Sequence, residues 1–178
     1  MSRTLVVCAA FDAATDAAVE TLRERVAAAG HGVRRAHRPH LTLTAARTDD
    51  ADDLAAVVAE VAARHAPVPL TMRGFGGFPS GVLYVATDES PPLRELQHDV
   101  YDTLARKWLP AFGAQSAPGD WVAHCTLATR LPRPSLRALR DAPFDPFPAT
   151  ADALTVIAVS GTGDLARFPL AGPPPEPR

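Results

Sequence analysis

The strongest constraint on this chain is a four-residue pattern that occurs twice, His40-Leu41-Thr42-Leu43 and His124-Cys125-Thr126-Leu127. Polar and apolar residues alternate in each copy. That is the period of a half-buried strand, whose successive side chains point to opposite faces. His40 and Thr42 therefore share one face, as do His124 and Thr126. Leu41, Leu43, Cys125 and Leu127 turn the other way, into a core. The copies lie 84 positions apart in a chain of 178, close to half its length. This spacing suggests two related lobes, each presenting one imidazole and one hydroxyl.

The rest of the chain fits that plan. Leu5 to Phe11 is a continuous apolar run that reads as a buried strand. A helix follows over Ala17–Ala29, with Asp12 or Thr15 as its cap and Gly30 and Gly32 as its end. His40–Ala45 is the first motif strand. The acidic stretch Asp49–Asp53 suits a helix start, and that helix runs to about His65 before Pro67. Val68–Met72 reads as a strand, GFGGFPSG as a loop, and Val82–Ala86 as another strand. Beyond Pro91, the expected elements are a helix over Leu93–Leu109, a loop over Gly113–Asp120 and the second motif strand, Val122–Leu127. A short helix over Ser135–Ala142 and strands at Leu154–Val159 and Asp164–Leu170 complete the pattern. The expected organisation is a single domain over 1–172, with lobe one at about 1–90 and lobe two at about 91–172. The tail 173–178 has nothing to bury and is expected to be mobile.

Paired imidazoles and hydroxyls suit a particular chemistry. With an ordinary pKa near 6.5, histidine can act as base or acid around neutrality. Two of them can take a proton from an attacking oxygen and return one to a leaving oxygen. Two hydroxyls can donate hydrogen bonds to the non-bridging oxygens of a phosphate. A single H-x-T-L is a weak signal, expected by chance roughly 0.05 times in such a chain. Two on matching strands of two halves are far more specific. The plainer reading is a pair of edge-strand histidines with cross-strand threonine partners.

The paired motifs resemble those of the 2H phosphoesterase superfamily, and the chain is most similar to its bacterial 2′-5′ RNA ligase-like branch. The stretches that carry the resemblance are VVCAAFDAATDAAVETLRERV, RPHLTL, GFGGFPSGVLYVA and WVAHCTLATRL. The resemblance implies an α+β, bilobed, pseudo-two-fold fold, with two antiparallel sheets lining a central cleft and helices outside. It implies His40 and His124 as the acid–base pair and Thr42 and Thr126 as the phosphate-holding hydroxyls. The implied activity is phosphodiester cleavage at a 2′,3′-cyclic phosphate or a 2′-5′-linked nucleotide or RNA end. The alternatives are a nucleotide- or RNA-end-binding module without turnover, and an ATP-independent 2′-5′ RNA ligase. Which histidine is base and which is acid stays open at this stage. Relatives often carry an arginine soon after the second motif; here Arg130 stands six residues past His124.

Other residues bear on the substrate. Trp121, three residues before His124, could stack a base, as could Phe78; Tyr84, in an apolar strand, reads as core. Arg34, Arg35, His37 and Arg38 precede the first motif and could draw in an anion, or form a solvated loop. Arg38, Trp121 and Arg130 are the candidate substrate contacts. His37 and His40 could form a metal pair with His124. No acidic or cysteine partner has suitable spacing, so neither metal nor cofactor is expected. No G-x-x-x-x-G-K-[ST] loop is present, and Lys107, the only lysine, lies in a helix between Arg106 and Trp108; ATP chemistry is therefore not expected. A net charge of −2 argues against a broad surface for long nucleic acid, leaving a small nucleotide or short RNA end as partner. Two cysteines in apolar runs and the absence of a signal-peptide pattern make the cytoplasm the expected compartment, with no membrane partner and a monomer favoured.

Overall fold

The computed structural model describes residues 2–33 and 36–173. Arg34, Arg35 and tail residues 174–178 lie outside the described residues. The strands are β1 (Arg3–Phe11), β2 (His40–Thr48), β3 (Val68–Phe78), β4 (Val82–Thr87), β5 (His124–Ala128), β6 (Phe147–Ala158) and β7 (Ala166–Pro169). The helices are α1 (Ala13–Ala28), α2 (Ala51–Ala62), α3 (Pro91–Ala105) and α4 (Arg133–Arg140), with a 3₁₀ turn at Gly113–Ser116. Among the described residues, no helix is long and apolar enough to cross a membrane.

All strand pairs are antiparallel, in the order β2-β1-β6-β3-β4-β5, with β7 also on β6. The long β6 joins two limbs. Its residues from Ala151 onward pair with β1, and its residues up to Ala151 pair with β3. One limb is β2-β1-β6-β7, the other β6-β3-β4-β5. These are the expected two antiparallel sheets, hydrogen-bonded into one through a shared strand. The two edge strands of that sheet, β2 and β5, carry the two motifs, and they come back into contact with each other.

The division of the chain near residue 90 does not follow this pairing. β3 and β4 belong to the limb of β5, since β4 can satisfy its second edge only against β5. The stretch GFGGFPSG is also not all loop: Gly74–Phe78 continues β3 opposite β4. Glycine is needed there for a packing reason. A Cβ on Gly76 would meet the Tyr84 ring at 2.3 Å, and one on Gly77 would meet Leu136 of α4 at 2.8 Å. The lack of side chains that reads as a turn signal lets other side chains lie across the strand. β6 likewise begins seven residues before the apolar run at Leu154, because its first part is half exposed and alternating.

Helices α1, α2 and α3 cover one face of the sheet. The core there includes Leu5, Val7 and Phe11 of β1, Leu41 and Leu43 of β2, and Cys125 and Leu127 of β5. Asp12 caps α1, accepting from the Thr15 amide at 2.8 Å, and Asp50 caps α2 through the Asp53 amide at 2.9 Å. Buried Gln97 of α3 donates to the carbonyls of Leu43 (3.3 Å) and Ser116 (2.8 Å), tying β2 to the 3₁₀ turn. The outer edges of both motif strands are covered: Ala46 bridges to Pro110 and Ala128 to Val33. The other face of the sheet, with Val6 and Ile157, is left open and concave.

Candidate active site

That concave face forms a cavity of about 700 Å³. His40, Thr42, His124 and Thr126 all line it, while Leu41, Leu43, Cys125 and Leu127 are buried behind them. Strand alternation sets each motif's facing. The curl of the sheet brings the two motifs to one place.

Both histidines are held the same way. His40 Nδ1 lies 2.8 Å from the carbonyl of Arg38, and His124 Nδ1 lies 2.7 Å from the carbonyl of Val122. A carbonyl only accepts, so each Nδ1 carries the hydrogen. Each Nε2 is then the nitrogen that gains or loses a proton. In both cases the acceptor is the residue two before the histidine, so each short approach to a motif strand sets a tautomer. Burial pushes the His124 pKa below the usual imidazole range, with the Val122 carbonyl pulling part of the way back. Its ring packs edge-on to Phe78 (4.9 Å between centroids) and against Tyr84 (5.2 Å). Tyr84 therefore stands half-buried beside His124 rather than inside the main core.

The two motif strands are braced across the cleft. Trp121 lines the cavity, and its indole N–H donates to the Thr42 carbonyl at 2.8 Å. Arg23 of α1 is only 2% exposed. It donates to the His37 carbonyl at 3.1 Å, the Thr126 carbonyl at 3.3 Å and the Glu20 carboxylate at 2.7 Å. One guanidinium thus grips both the approach to His40 and the strand of His124. Sequence reading gave Arg23 no role, yet its position carries a signal. It sits within the buried stripe Val19, Leu22 and Val26 of α1, where a cation needs buried acceptors.

Other expectations fare differently. His37 is not in a solvated loop: it is 3% exposed, lines the cavity, and its Nδ1 lies 3.2 Å from the Gly163 carbonyl. Arg38 does not line the cavity. It is engaged by Asp16, which accepts from its Nε at 2.9 Å and from a second guanidinium nitrogen. Arg130 is exposed and outside the cavity lining, with φ at +61° turning it away from the line of β5. Ser80 and Thr129 add two hydroxyls that sequence reading missed, because they stand just past strand ends. Cys8 and Cys125 are buried and not disulfide-bonded. Among the described residues, no three His, Cys, Asp or Glu side chains gather in a way that could hold a metal ion.

Comparison with known proteins identifies the family and matches the fold. The family model described as 2′-5′ RNA ligase superfamily matches residues 11–163. Among solved structures, TT0787 of Thermus thermophilus is similar at 19% identity and TM-score 0.63, covering 97% of this chain and 99% of that one. E. coli LigT in complex with 3′-AMP is similar at 17% identity and TM-score 0.64, covering 95% and 98%. The PDE domain of MHV ns2 is similar at 15% identity and TM-score 0.54, covering 89% and 99%. A search of curated proteins finds no significant match.

Proposed function

Since this chain belongs to the 2′-5′ RNA ligase superfamily, we propose that it is a phosphodiesterase of the two-histidine type. Its substrate is a 2′,3′-cyclic phosphate or a 2′-5′-linked nucleotide or RNA end. The observation that carries this reading is the matched pair of Nδ1–carbonyl bonds within one cavity. It gives two imidazoles one tautomer and one reactive nitrogen each, beside two strand-held hydroxyls. The fold it shares with LigT, solved with 3′-AMP, is in keeping with a nucleotide in the cleft.

For a 2′,3′-cyclic phosphate the proposed step is in-line hydrolysis. A water oxygen attacks phosphorus, and one ribose P–O bond breaks. His124, which burial favours in its neutral form, takes the water's proton on Nε2. His40, protonated on Nε2, gives its proton to the departing ribose oxygen. Thr42 and Thr126 donate hydrogen bonds to the non-bridging oxygens, whose charge rises in the transition state. No metal ion is needed for this step.

The test is a panel of cyclic mononucleotides, 2′-5′ dinucleotides and cyclic-phosphate RNA ends, with products followed by phosphorus NMR. Removing either proton carrier should lower kcat by about 10²–10⁴, so His40→Ala and His124→Ala should lose turnover while EDTA changes nothing. Full activity in both variants, or abolition by EDTA, would refute the mechanism. Tight nucleotide binding without any product in the wild type would instead make this a binding module. Joining of two RNA ends without ATP would put the same groups to work in the reverse direction.

A further inference from the structure

α4 follows the second motif strand and carries Arg133, Arg137 and Arg140, all exposed, with exposed Arg130 just before it. Residues at i, i+4 and i+7 lie on one side of a helix. Their cations therefore form a row about 10 Å long at 1.5 Å per residue. The row starts at the cavity rim. Thr129 and Ser80 line the cavity, and the Leu131 amide donates across to the Gly81 carbonyl at 2.9 Å. Arg140 touches Asp141 at 3.4 Å, a long exposed pair. No ion pair is found for Arg130, Arg133 or Arg137 among the described residues.

Two features of the row run against local stability. Arg133 is the first residue of α4, at the positive end of the helix dipole, where a cation is unfavourable, and the helix has no side-chain cap there. Arg130 is the only non-glycine described with a positive φ, a conformation disfavoured for L residues. Dipole complementarity accounts for Arg137 and Arg140 in the last turn, but not for these two. The adjoining side of the helix is occupied, with Leu136 and Leu139 packed on the core. No apolar face remains to enter a bilayer.

Resting on the phosphodiesterase reading, we propose that the Arg130–Arg140 row is a strand track. It holds the phosphates of a single-stranded RNA whose reacting end lies in the cavity. The substrate is then an RNA end several nucleotides long, and the −2 net charge hides a segregated basic stripe.

The experiment compares wild type with the Arg133→Glu/Arg137→Glu/Arg140→Glu variant. The control is Arg3→Glu/Arg47→Glu/Arg106→Glu, the same charge change at three exposed arginines on other elements. Binding of an eight-nucleotide RNA ending in a 2′,3′-cyclic phosphate is measured by fluorescence anisotropy over a salt series, in a His124→Ala background. Turnover of a cyclic mononucleotide is measured with His124 intact. The track variant should bind the RNA at least about tenfold more weakly, with a salt slope lower by about 2, from roughly 0.7 per lost contact. Its mononucleotide kcat/KM and Tm should stay at wild-type values. Equal weakening in the control, an unchanged salt slope, or wild-type RNA binding no tighter than mononucleotide binding would overturn the track. So would loss of binding to anionic vesicles in place of RNA. If wild type turns over neither the mononucleotide nor the RNA cyclic phosphate but the RNA-binding pattern holds, the phosphodiesterase reading fails and the track stands.

Discussion

Replacing Arg23 with leucine tests how the cleft is held together. The change removes the guanidinium that donates to the His37 carbonyl at 3.1 Å and the part-buried Thr126 carbonyl at 3.3 Å. An unsatisfied buried acceptor costs about 1–3 kcal/mol. Two give about 2–6 kcal/mol. Some of this is offset, because Arg23 Nε is itself buried without a partner and its desolvation is relieved. Glu20, with its side chain 37% exposed, regains water when the pair is lost. A net loss of about 3 kcal/mol follows, which for a chain of this size lowers Tm by about 6–12 °C. Arg23→Lys keeps the charge but not the fork, so it should reach one carbonyl and lose about half as much. Urea unfolding at fixed pH gives ΔΔG, and a thermal melt gives the Tm. A loss below about 1 kcal/mol for Arg23→Leu would mean that the brace is not energetically real.

Further outcomes follow from the same geometry. Gly81 has φ at +87°, and a Cβ there would sit 2.8 Å from the Leu131 carbonyl oxygen; Gly81→Ala should cost about 2–3 kcal/mol in chemical denaturation. The folded-state pKa of His124 is depressed, so the native state binds fewer protons than the unfolded chain near pH 6. This group's contribution to stability is therefore complete above about pH 6.5 and lost as pH falls through the folded pKa. Urea midpoints against pH should show that loss in wild type and not in His124→Gln. Burial pushes the Cys125 thiol up to about 11, so it should resist alkylation at pH 8 in the native protein and react once unfolded. Trp121→Phe removes the N–H that reaches the Thr42 carbonyl and should cost about 1–2 kcal/mol in thermal denaturation, with KM raised more than kcat is lowered.

What could be read from the sequence was whatever depends on neighbours along the chain. Strand period two put His40 with Thr42 and His124 with Thr126, and put their leucines and Cys125 inward. Caps such as Asp12, and the ends of α1 and α2 to within a few residues, are equally local. Sequence reading failed where a residue's role depends on something distant. Gly74–Gly77 reads as a turn until the Tyr84 ring and Leu136 are seen above it. Arg38 reads as a substrate contact until Asp16 is seen beside it, and His37 as a surface residue until Gly163 closes over it.

The sequence by itself determined two strands, each with an imidazole and a hydroxyl on one face, because alternation is a property of the backbone alone. Only the tertiary structure decided that the two faces share one cavity. That required β6 to serve both limbs, the sheet to curl until its two edges met, and one buried guanidinium to hold carbonyls 89 residues apart in the chain, those of His37 and Thr126. Such closure is a balance of long-range packing and buried hydrogen bonds, which no local pattern encodes.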